Sequence, residues 1–275
     1  MKVHHLDCCT MCPVGGRWLN ESRHMVAHCL LLETERSGLV LVDTGIGLPD
    51  VVDPVGRLGR MFATTVRPGT DPARTAIRQV EALGFRPEDV RHIIPTHLDL
   101  DHVGGLGDFP DATVHVHAAE LDAATHPRLS ERQRYRAAQW AHGPRWQTFE
   151  STGEPWFDFG AVRDLPGLDE SILVVPLPGH TRGHVAIAVE DRLGHWLLHC
   201  GDAYFHEHTV DPTRPPIGPA LRAFEQLMAV DREKVRQNHD RLRALATYQG
   251  DEVDVFCAHD PEELARAQAA SAAVS

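Results

Sequence analysis

Between positions 97 and 102 the chain reads His-Leu-Asp-Leu-Asp-His, which places four side chains that can bind metal within six residues. A Gly-Gly pair at 104–105 lets the backbone turn tightly behind this run. Three further candidates, each after an apolar run, are His180, Asp202 and His259. Imidazole and carboxylate groups are common protein ligands of divalent metals. One such residue alone is usually a core or loop group, but this combination favours a site for two ions and a water, in a fold that brings several strand ends together.

The composition restricts the partners of the chain. Its 275 residues carry a net charge of −12 without a Lys/Arg-rich block, so we predict no nucleic-acid partner. No apolar run approaches the roughly 18 to 20 residues that cross a bilayer, so we predict no membrane partner. The N-terminal residues lack the apolar region of a secretion signal, and Cys9-x-x-Cys12 has no second pair to complete a zinc knuckle. We therefore interpret the cysteines as structural thiols and expect a cytoplasmic location.

Short apolar runs alternate with helical patterns along most of the chain. Residues 29–33 and 39–43 flank a Ser-Gly turn and predict a hairpin, and residues 92–95 predict a strand leading into the His/Asp run. Two sheets packed face to face with helices outside would place each candidate ligand just after a strand. No repeat or linker interrupts the chain, so we predict one domain, residues 1–275. The other predicted elements are strands at 113–117, 172–176, 185–189, 195–200 and 253–257, and helices from 71, at 118–124, at about 220–246 and from 261.

Residues 127–160 differ from this rhythm. Ser130-x-x-Gln133 is a capping-box pattern and predicts a helix through Trp140. Aromatic residues cluster in and after it, which favours a helical and aromatic insertion over one face of the domain. We interpret the insertion as a local core, and the alternative is a lid that offers a substrate an apolar wall.

Together these motifs resemble the metallo-β-lactamase superfamily, whose signature is His-x-His-x-Asp-His, and they are most similar to its N-acyl homoserine lactonase branch. The similarity extends over about residues 29–260. The resemblance implies a four-layer αββα sandwich of the α/β class, which agrees with the predicted strand order. The matching segments are Cys29-Leu-Leu-Leu-Glu-Thr, Leu-Val-Asp-Thr-Gly45, Ala82-Leu-Gly84, Ile94-Pro-Thr-His97, Pro178-Gly-His-Thr-x-Gly-His184 and Gly201-Asp-Ala203.

The resemblance also implies how the candidate ligands divide between two divalent ions, with zinc preferred. Asp43 would orient a ligand histidine, and His184 would have a structural or supporting role without binding metal. By motif position, the first ion would be held by His97, Asp99 and His180, the second by Asp101, His102 and His259, and Asp202 would bridge them.

Asp99 departs from the signature, which has histidine at this position. Three carboxylates and a hydroxide would neutralise two divalent cations, so we expect a weaker Lewis acid and a bound water of higher pKa than in the histidine-containing relatives. Oxygen ligation also makes manganese or iron acceptable at this position, with zinc still preferred. The alternative is that Asp99 does not ligate and one ion is held weakly.

The resemblance implies a metal-dependent hydrolase in which a metal-bridging hydroxide attacks a carbonyl carbon. Asp101 would position the hydroxide and pass its proton to the leaving group. The lactonases carry a substrate-binding tyrosine one residue later than Tyr204, so Tyr204 is a catalytic candidate whose alternative is a packed aromatic. We predict a small-molecule lactone or ester as the substrate.

Other activities remain open for such a chain. A β-lactamase or a glyoxalase II-like thioesterase would use the same fold, although the missing secretion signal argues against antibiotic defence. A di-iron oxygen reductase would need a flavin domain, for which the chain has no room. A non-catalytic, metal-stabilised ligand-binding protein is the non-enzyme alternative, and a homodimer is left open.

Overall fold

The computed structural model describes residues 1–16 and 24–274, and within them twelve strands form two six-stranded sheets. The strands of the first sheet lie side by side in chain order, with antiparallel pairing from β1 to β3 and parallel pairing from there to the sixth strand. They are β1 (Lys2–Met11), β2 (Met25–Glu33), β3 (Leu39–Val42), β4 (Val90–Ile94), β5 (Thr113–His117) and β6 (Arg145–Phe149).

The second sheet contains the remaining strands. They are β7 (Glu154–Trp156), β8 (Phe159–Asp164), β9 (Ile172–Pro176), β10 (Val185–Glu190), β11 (Trp196–His199) and β12 (Val253–Phe256). Their order is β12-β11-β10-β9-β8-β7, and only the pair of β11 and β12 is parallel.

Nine α-helices occur in the described residues, and none of them is long and apolar enough to span a bilayer. They are α1 (Leu48–Val52), α2 (Pro54–Leu58), α3 (Arg60–Thr65), α4 (Ala76–Ala82), α5 (Leu100–Val103), α6 (Ala118–Thr125), α7 (Pro219–Met228), α8 (Arg232–Tyr248) and α9 (Pro261–Val274).

The layers follow from the alternation of side chains along the strands, because successive residues point to opposite faces of a sheet. Leu30 of β2 and Ile187 of β10 belong to one apolar cluster, which fills the space between the two sheets. Leu31 points the other way and packs in a second cluster with residues of α4 and α6. On the far face of the second sheet, Ala188 packs in a cluster with Leu242 of α8. This order of helix, sheet, sheet and helix confirms the predicted four-layer αββα sandwich.

The predicted hairpin, the strand before the His/Asp run and the strand at 172–176 are confirmed. The single helix predicted at about 220–246 is instead two helices, α7 and α8. Ala229 is extended (ψ 130°), and Asp231 caps α8 by accepting hydrogen bonds from the next turn. The break leaves Val230 N and Asp231 N free to donate to the carbonyl of Gly179, each at 2.9 Å. This contact connects the helices to the loop that carries His180.

The helix predicted through Trp140 is wrong, because only a 3-10 turn forms there, at Ala137–Trp140. Long-range contacts override the capping-box pattern: Glu131 accepts hydrogen bonds from Arg182, and Arg136 donates to the carbonyls of Arg57 and Gly56. After this turn the segment supplies β6 to the first sheet and β7 to the second. Much of the predicted insertion is therefore part of the sandwich.

Candidate metal centre

The ends of five strands converge at one edge of the sandwich. Asp43 follows β3, the His/Asp run follows β4, and His180, Asp202 and His259 follow β9, β11 and β12. Main-chain hydrogen bonds join the two sheets at this edge, from Val185 N to Thr96 O and from His28 N to Ala258 O, both at 2.9 Å. Residues that are distant in sequence are thereby held beside one another on a rigid frame.

The first group of candidate ligands contains four buried residues whose ligand atoms all lie within 4.8 Å of one another: His97, Asp99, His180 and Asp202. Nε2 of His180 is 3.1 Å from Oδ2 of Asp99 and 3.3 Å from Oδ2 of Asp202. Nε2 of His97 lies 3.8 Å from the same oxygen of Asp202. This group matches the set predicted for the first ion.

The second group contains Asp101, His102 and His259, again with ligand atoms within 4.8 Å of one another. Nε2 of His102 and Nε2 of His259 lie 3.1 Å and 2.9 Å from Oδ1 of Asp202. Asp202 therefore stands between the groups, with one carboxylate oxygen towards each. This is the geometry that a bridging carboxylate requires.

Several buried polar atoms at the centre make no hydrogen bond of acceptable geometry, although Nε2 of His102 and Oδ1 of Asp202 are 3.1 Å apart. The atoms without such a bond are Nε2 of His97, Nε2 of His102, Oδ1 of Asp99 and Oδ1 of Asp202. An unsatisfied buried polar group costs about 1–3 kcal/mol, so a fold rarely keeps several together without a reason. Nitrogen and oxygen atoms at this spacing are suitable donors for divalent cations, so the residues present fit a pair of ions.

The far nitrogens of the imidazoles are fixed by other groups. Nδ1 of His102 is 2.8 Å from Oδ2 of Asp43, and Nδ1 of His259 is 2.7 Å from the carbonyl oxygen of Val26. Nδ1 of His97 is 3.0 Å from Oγ1 of Thr96. A proton on Nδ1 leaves the lone pair of Nε2 facing the centre, which is how metal-binding histidines are usually oriented.

His184 has the same kind of supporting position. Its Nε2 accepts a hydrogen bond from the main-chain N–H of Asp202 at 3.0 Å, and its Nδ1 donates to the carbonyl of Leu177 at 3.1 Å. Both ring nitrogens are used, so His184 fixes the backbone of Asp202 and does not face the centre.

Glu120 of α6 organises the loops behind the ligands, and the sequence did not single it out. This buried carboxylate accepts hydrogen bonds from the N–H of Leu98 and the N–H of Gly183, both at 3.0 Å. It also accepts one from the hydroxyl of Tyr135 at 3.0 Å. Glu120 thus joins the His/Asp run to the loop that carries His180.

The structure does not bring Tyr204 into the site. Its side chain is fully buried in the apolar cluster on the far face of the second sheet, and its hydroxyl donates to Glu263 at 2.9 Å. The packed alternative therefore describes Tyr204. The next residue, Phe205, instead stacks on the ring of His259, with centroids 5.3 Å apart and planes at 6°.

Arg134 contacts the first group of candidate ligands. It lies in residues 127–160, for which the sequence predicted an insertion. Its Nη1 lies 3.1 Å from Oδ2 of Asp99. Nothing near Arg134 in the sequence marks it as functional. The signal that could have found it is Asp99 itself, because an anion in place of a neutral histidine creates a need for a cation.

The acidic and basic groups at the centre stabilise each other's charged forms. Burial alone would raise the pKa of both Asp99 and Asp202. Arg134 and the imidazoles of His97 and His180 instead hold the pKa of Asp99 well below the usual range, and the imidazoles of His259, His102 and His180 do the same for Asp202. Burial alone would lower the pKa of His102, and the carboxylates of Asp202 and Asp43 raise it well above its ordinary value. The carboxylates are therefore ionised, and a proton competes with any cation for His102.

The chain is similar in sequence to known proteins. The family profile described as the metallo-beta-lactamase superfamily matches residues 67–247. A Mycobacterium tuberculosis protein named "Probable metallo-hydrolase" is 46% identical over 271 residues, which cover 97% of this chain and 83% of that protein. The N-acyl homoserine lactonase AttM of Rhizobium johnstonii is 29% identical over 231 residues, which cover 84% of this chain and 80% of AttM.

The fold is also shared with a solved structure. A variant of AiiA from B. thuringiensis, with N-decanoyl-L-homoserine bound at its active site, superposes with a TM-score of 0.70. The superposition covers 95% of this chain and 94% of AiiA, at 22% sequence identity. At this identity the similarity concerns the fold.

Proposed function

The chain belongs to the metallo-beta-lactamase superfamily and is a metal-dependent hydrolase, and on that premise we propose that it opens small lactones at a centre of two divalent ions. His97, Asp99 and His180 would hold the first ion, and Asp101, His102 and His259 would hold the second. Asp202 would be shared between them, and zinc is the preferred metal, with manganese or iron acceptable beside Asp99.

This proposal rests on the position of the Asp202 carboxylate between the two groups of candidate ligands. Its Oδ2 lies 3.3 Å from His180 and its Oδ1 lies 2.9 Å from His259, so the two oxygens serve different groups. The unpartnered Nε2 atoms of His97 and His102 lie one in each group, which supports a carboxylate shared between two ions.

Two bound divalent ions supply Lewis acidity and a nucleophilic oxygen at neutral pH. Asp101 is the most exposed carboxylate of the centre, with 12% of its side chain accessible, whereas Asp202 is 5% accessible. Oδ2 of Asp101 lies 3.7 Å from Nε2 of His259, at the edge of the second group. This position lets Asp101 orient the attacking water and move its proton to the leaving alkoxide oxygen.

The choice of lactones draws on the relatives. AttM is named an N-acyl homoserine lactonase, and the AiiA structure holds an N-acyl homoserine at its active site. Hydrolysis of a lactone gives a single product, because the leaving oxygen stays attached to the acyl group through the rest of the former ring. We therefore take small cyclic esters as the first substrate class.

The test is a substrate panel of lactones, linear esters, thioesters and a β-lactam, with metal-loaded and chelator-treated protein. We expect lactone opening to be the fastest reaction, to stop on chelation and to return when zinc or manganese is added. Faster hydrolysis of thioesters or the β-lactam would replace the lactone assignment by one of these. Metal-replete protein without activity on any substrate would contradict the proposed function and favour a ligand-binding role.

A further inference from the structure

The guanidinium of Arg134 is held at three points around the loop of His180. It pairs with Oδ2 of Asp99 at 3.1 Å. It also donates to the carbonyl oxygen of His180 at 3.2 Å and to that of Met228, the last residue of α7. Its side chain is only 10% exposed, so bulk water does not compete strongly for these contacts. A group fixed in this way has a defined orientation towards Asp99.

The two oxygens of Asp99 have different surroundings. Oδ2 contacts both Arg134 and Nε2 of His180 at 3.1 Å, whereas Oδ1 is buried without a hydrogen-bond partner. The carboxylate is therefore anchored through one oxygen and leaves the other free. Carboxylates that bind metal commonly have such an anchor, which fixes the direction of the remaining lone pairs.

We propose that Arg134 is a positioning residue for the first ion, because it orients Asp99 and offsets the negative charge that this aspartate introduces. The inference rests on the proposed ligation by Asp99. It also revises one expectation from the sequence: the weaker Lewis acidity assumed an unpaired Asp99. With Arg134 beside it, the local charge returns to that of a neutral ligand.

If Arg134 and Asp99 act as a pair, the effect of substituting Arg134 on metal binding depends on the residue at position 99. A general loss of structure would not produce this dependence. Without Arg134, Asp99 loses its anchor, so metal binding weakens. If Asp99 is replaced by histidine, Arg134 becomes a buried cation without a carboxylate partner, close to a divalent ion, which is unfavourable. Removing Arg134 from that background relieves the repulsion. The effect of the same substitution therefore changes sign with the residue at position 99.

The experiment measures metal affinity and stoichiometry by competition with a chromophoric chelator in wild type, Arg134→Gln, Asp99→His and the double variant. We expect Arg134→Gln to lower the affinity of one ion about 10- to 100-fold in the wild-type background. We expect the same substitution to raise affinity in the Asp99→His background. Neither measurement uses catalytic activity.

Arg182→Gln is the matched control. Arg182 also joins the loop of His180 to the 127–160 segment, through Glu131 at 3.1 Å, but it contacts no candidate ligand carboxylate. Its substitution should change metal affinity equally in both backgrounds. Arg134→Gln effects of the same sign in both backgrounds would overturn the positioning role while leaving the hydrolase proposal intact.

If Arg134→Gln alone does not fold, the comparison of Asp99→His with the double variant decides, because in both of these proteins Arg134 has already lost its carboxylate partner or is absent. A higher metal affinity in the double variant supports the proposal, and an equal or lower one contradicts it. Wild-type protein that binds no metal would refute both this inference and the proposed centre.

Discussion

Nδ1 of His102 donates a 2.8 Å hydrogen bond to Oδ2 of Asp43, which turns the opposite ring nitrogen towards Asp202. The Asp43 carboxylate also accepts the main-chain N–H of Thr96 at 2.7 Å and its hydroxyl at 2.9 Å. Asp43 has a φ of +56°, a region that aspartate and asparagine tolerate better than most residues. The orientation of His102 thus depends on a single, firmly held carboxylate.

We predict that Asp43→Asn lowers the affinity of the second ion by about 10- to 100-fold, because an amide has one accepting oxygen and cannot accept both from the main-chain N–H of Thr96 and from His102, which use different oxygens of Asp43. Asparagine preserves the shape and the left-handed backbone, so the fold should survive. Chelator competition measures the affinity. Asp169→Asn is the control, since this buried carboxylate pairs with Arg36 outside the candidate centre. An equal effect of the two substitutions would contradict a specific role for Asp43.

Gly201, directly before Asp202, has a φ of +52°, and a Cβ there would lie 2.8 Å from both Nε2 of His184 and Cβ of Thr96. We predict that Gly201→Ala lowers the free energy of unfolding by about 2–5 kcal/mol, from the left-handed backbone and from overpacking. Gly84→Ala separates the two causes, because Gly84 also has a positive φ (+89°) but no heavy atom within 4 Å of the added Cβ. It should cost only about 1–2 kcal/mol. Urea unfolding of the metal-free proteins gives both values, and equal losses would show that packing around Gly201 is loose.

Glu263 gives the fold a pH dependence of defined sign. Burial, together with the nearby Asp260 carboxylate, raises the pKa of Glu263 from 4.5 to about 8. Between these values the folded protein retains a proton that the unfolded chain has released, so the contribution of Glu263 to stability falls as pH rises, by about 1.4 kcal/mol per pH unit. The contribution is complete below pH 4.5 and is lost as pH rises through 8.

Glu263→Gln mimics the protonated group and retains partners for Tyr204 and the main chain of Cys257. We predict that the variant gains stability relative to wild type as the pH is raised from 5 to 8. Other titrating groups cancel in this difference, which urea unfolding at several pH values measures. A difference that does not change with pH would mean that Glu263 is ionised in the folded protein.

The sequence predicted the strands that carry the ligands because they are short apolar runs followed by polar motifs. It did not predict β1, although Lys2–Met11 is a ten-residue strand. A bulge between Asp7 and Thr10 shifts the register of β1 against β2 and interrupts the alternation of apolar and polar residues that marks a strand.

The helices α1 to α3 were missed for a related reason. Each has five or six residues, too few for a helical pattern to be recognised. Contacts beyond the single helix hold α1 and α2: Asp50 of α1 accepts hydrogen bonds from Arg57 of α2 at 2.9 Å and from Gln139, which is distant in sequence, at 3.2 Å. Such contacts exist only after folding.

The candidate ligands and the residues that position them also differ in whether a local sequence pattern marks them. His97, Asp101 and His102 occur in one motif, so the sequence alone brings them together. Arg134 and Glu120 act on that motif from other elements, and neither has a local pattern. Their contacts follow from the tertiary structure, which is why the sequence alone could not include Arg134 in the charge of the centre.

The most direct test of the proposed centre is X-ray diffraction from crystals of zinc-loaded protein, with data collected on both sides of the zinc absorption edge. We predict two anomalous peaks, one among His97, Asp99 and His180 and one among Asp101, His102 and His259, with Asp202 between them. One peak only, or peaks elsewhere in the molecule, would contradict a centre of two ions bridged by Asp202.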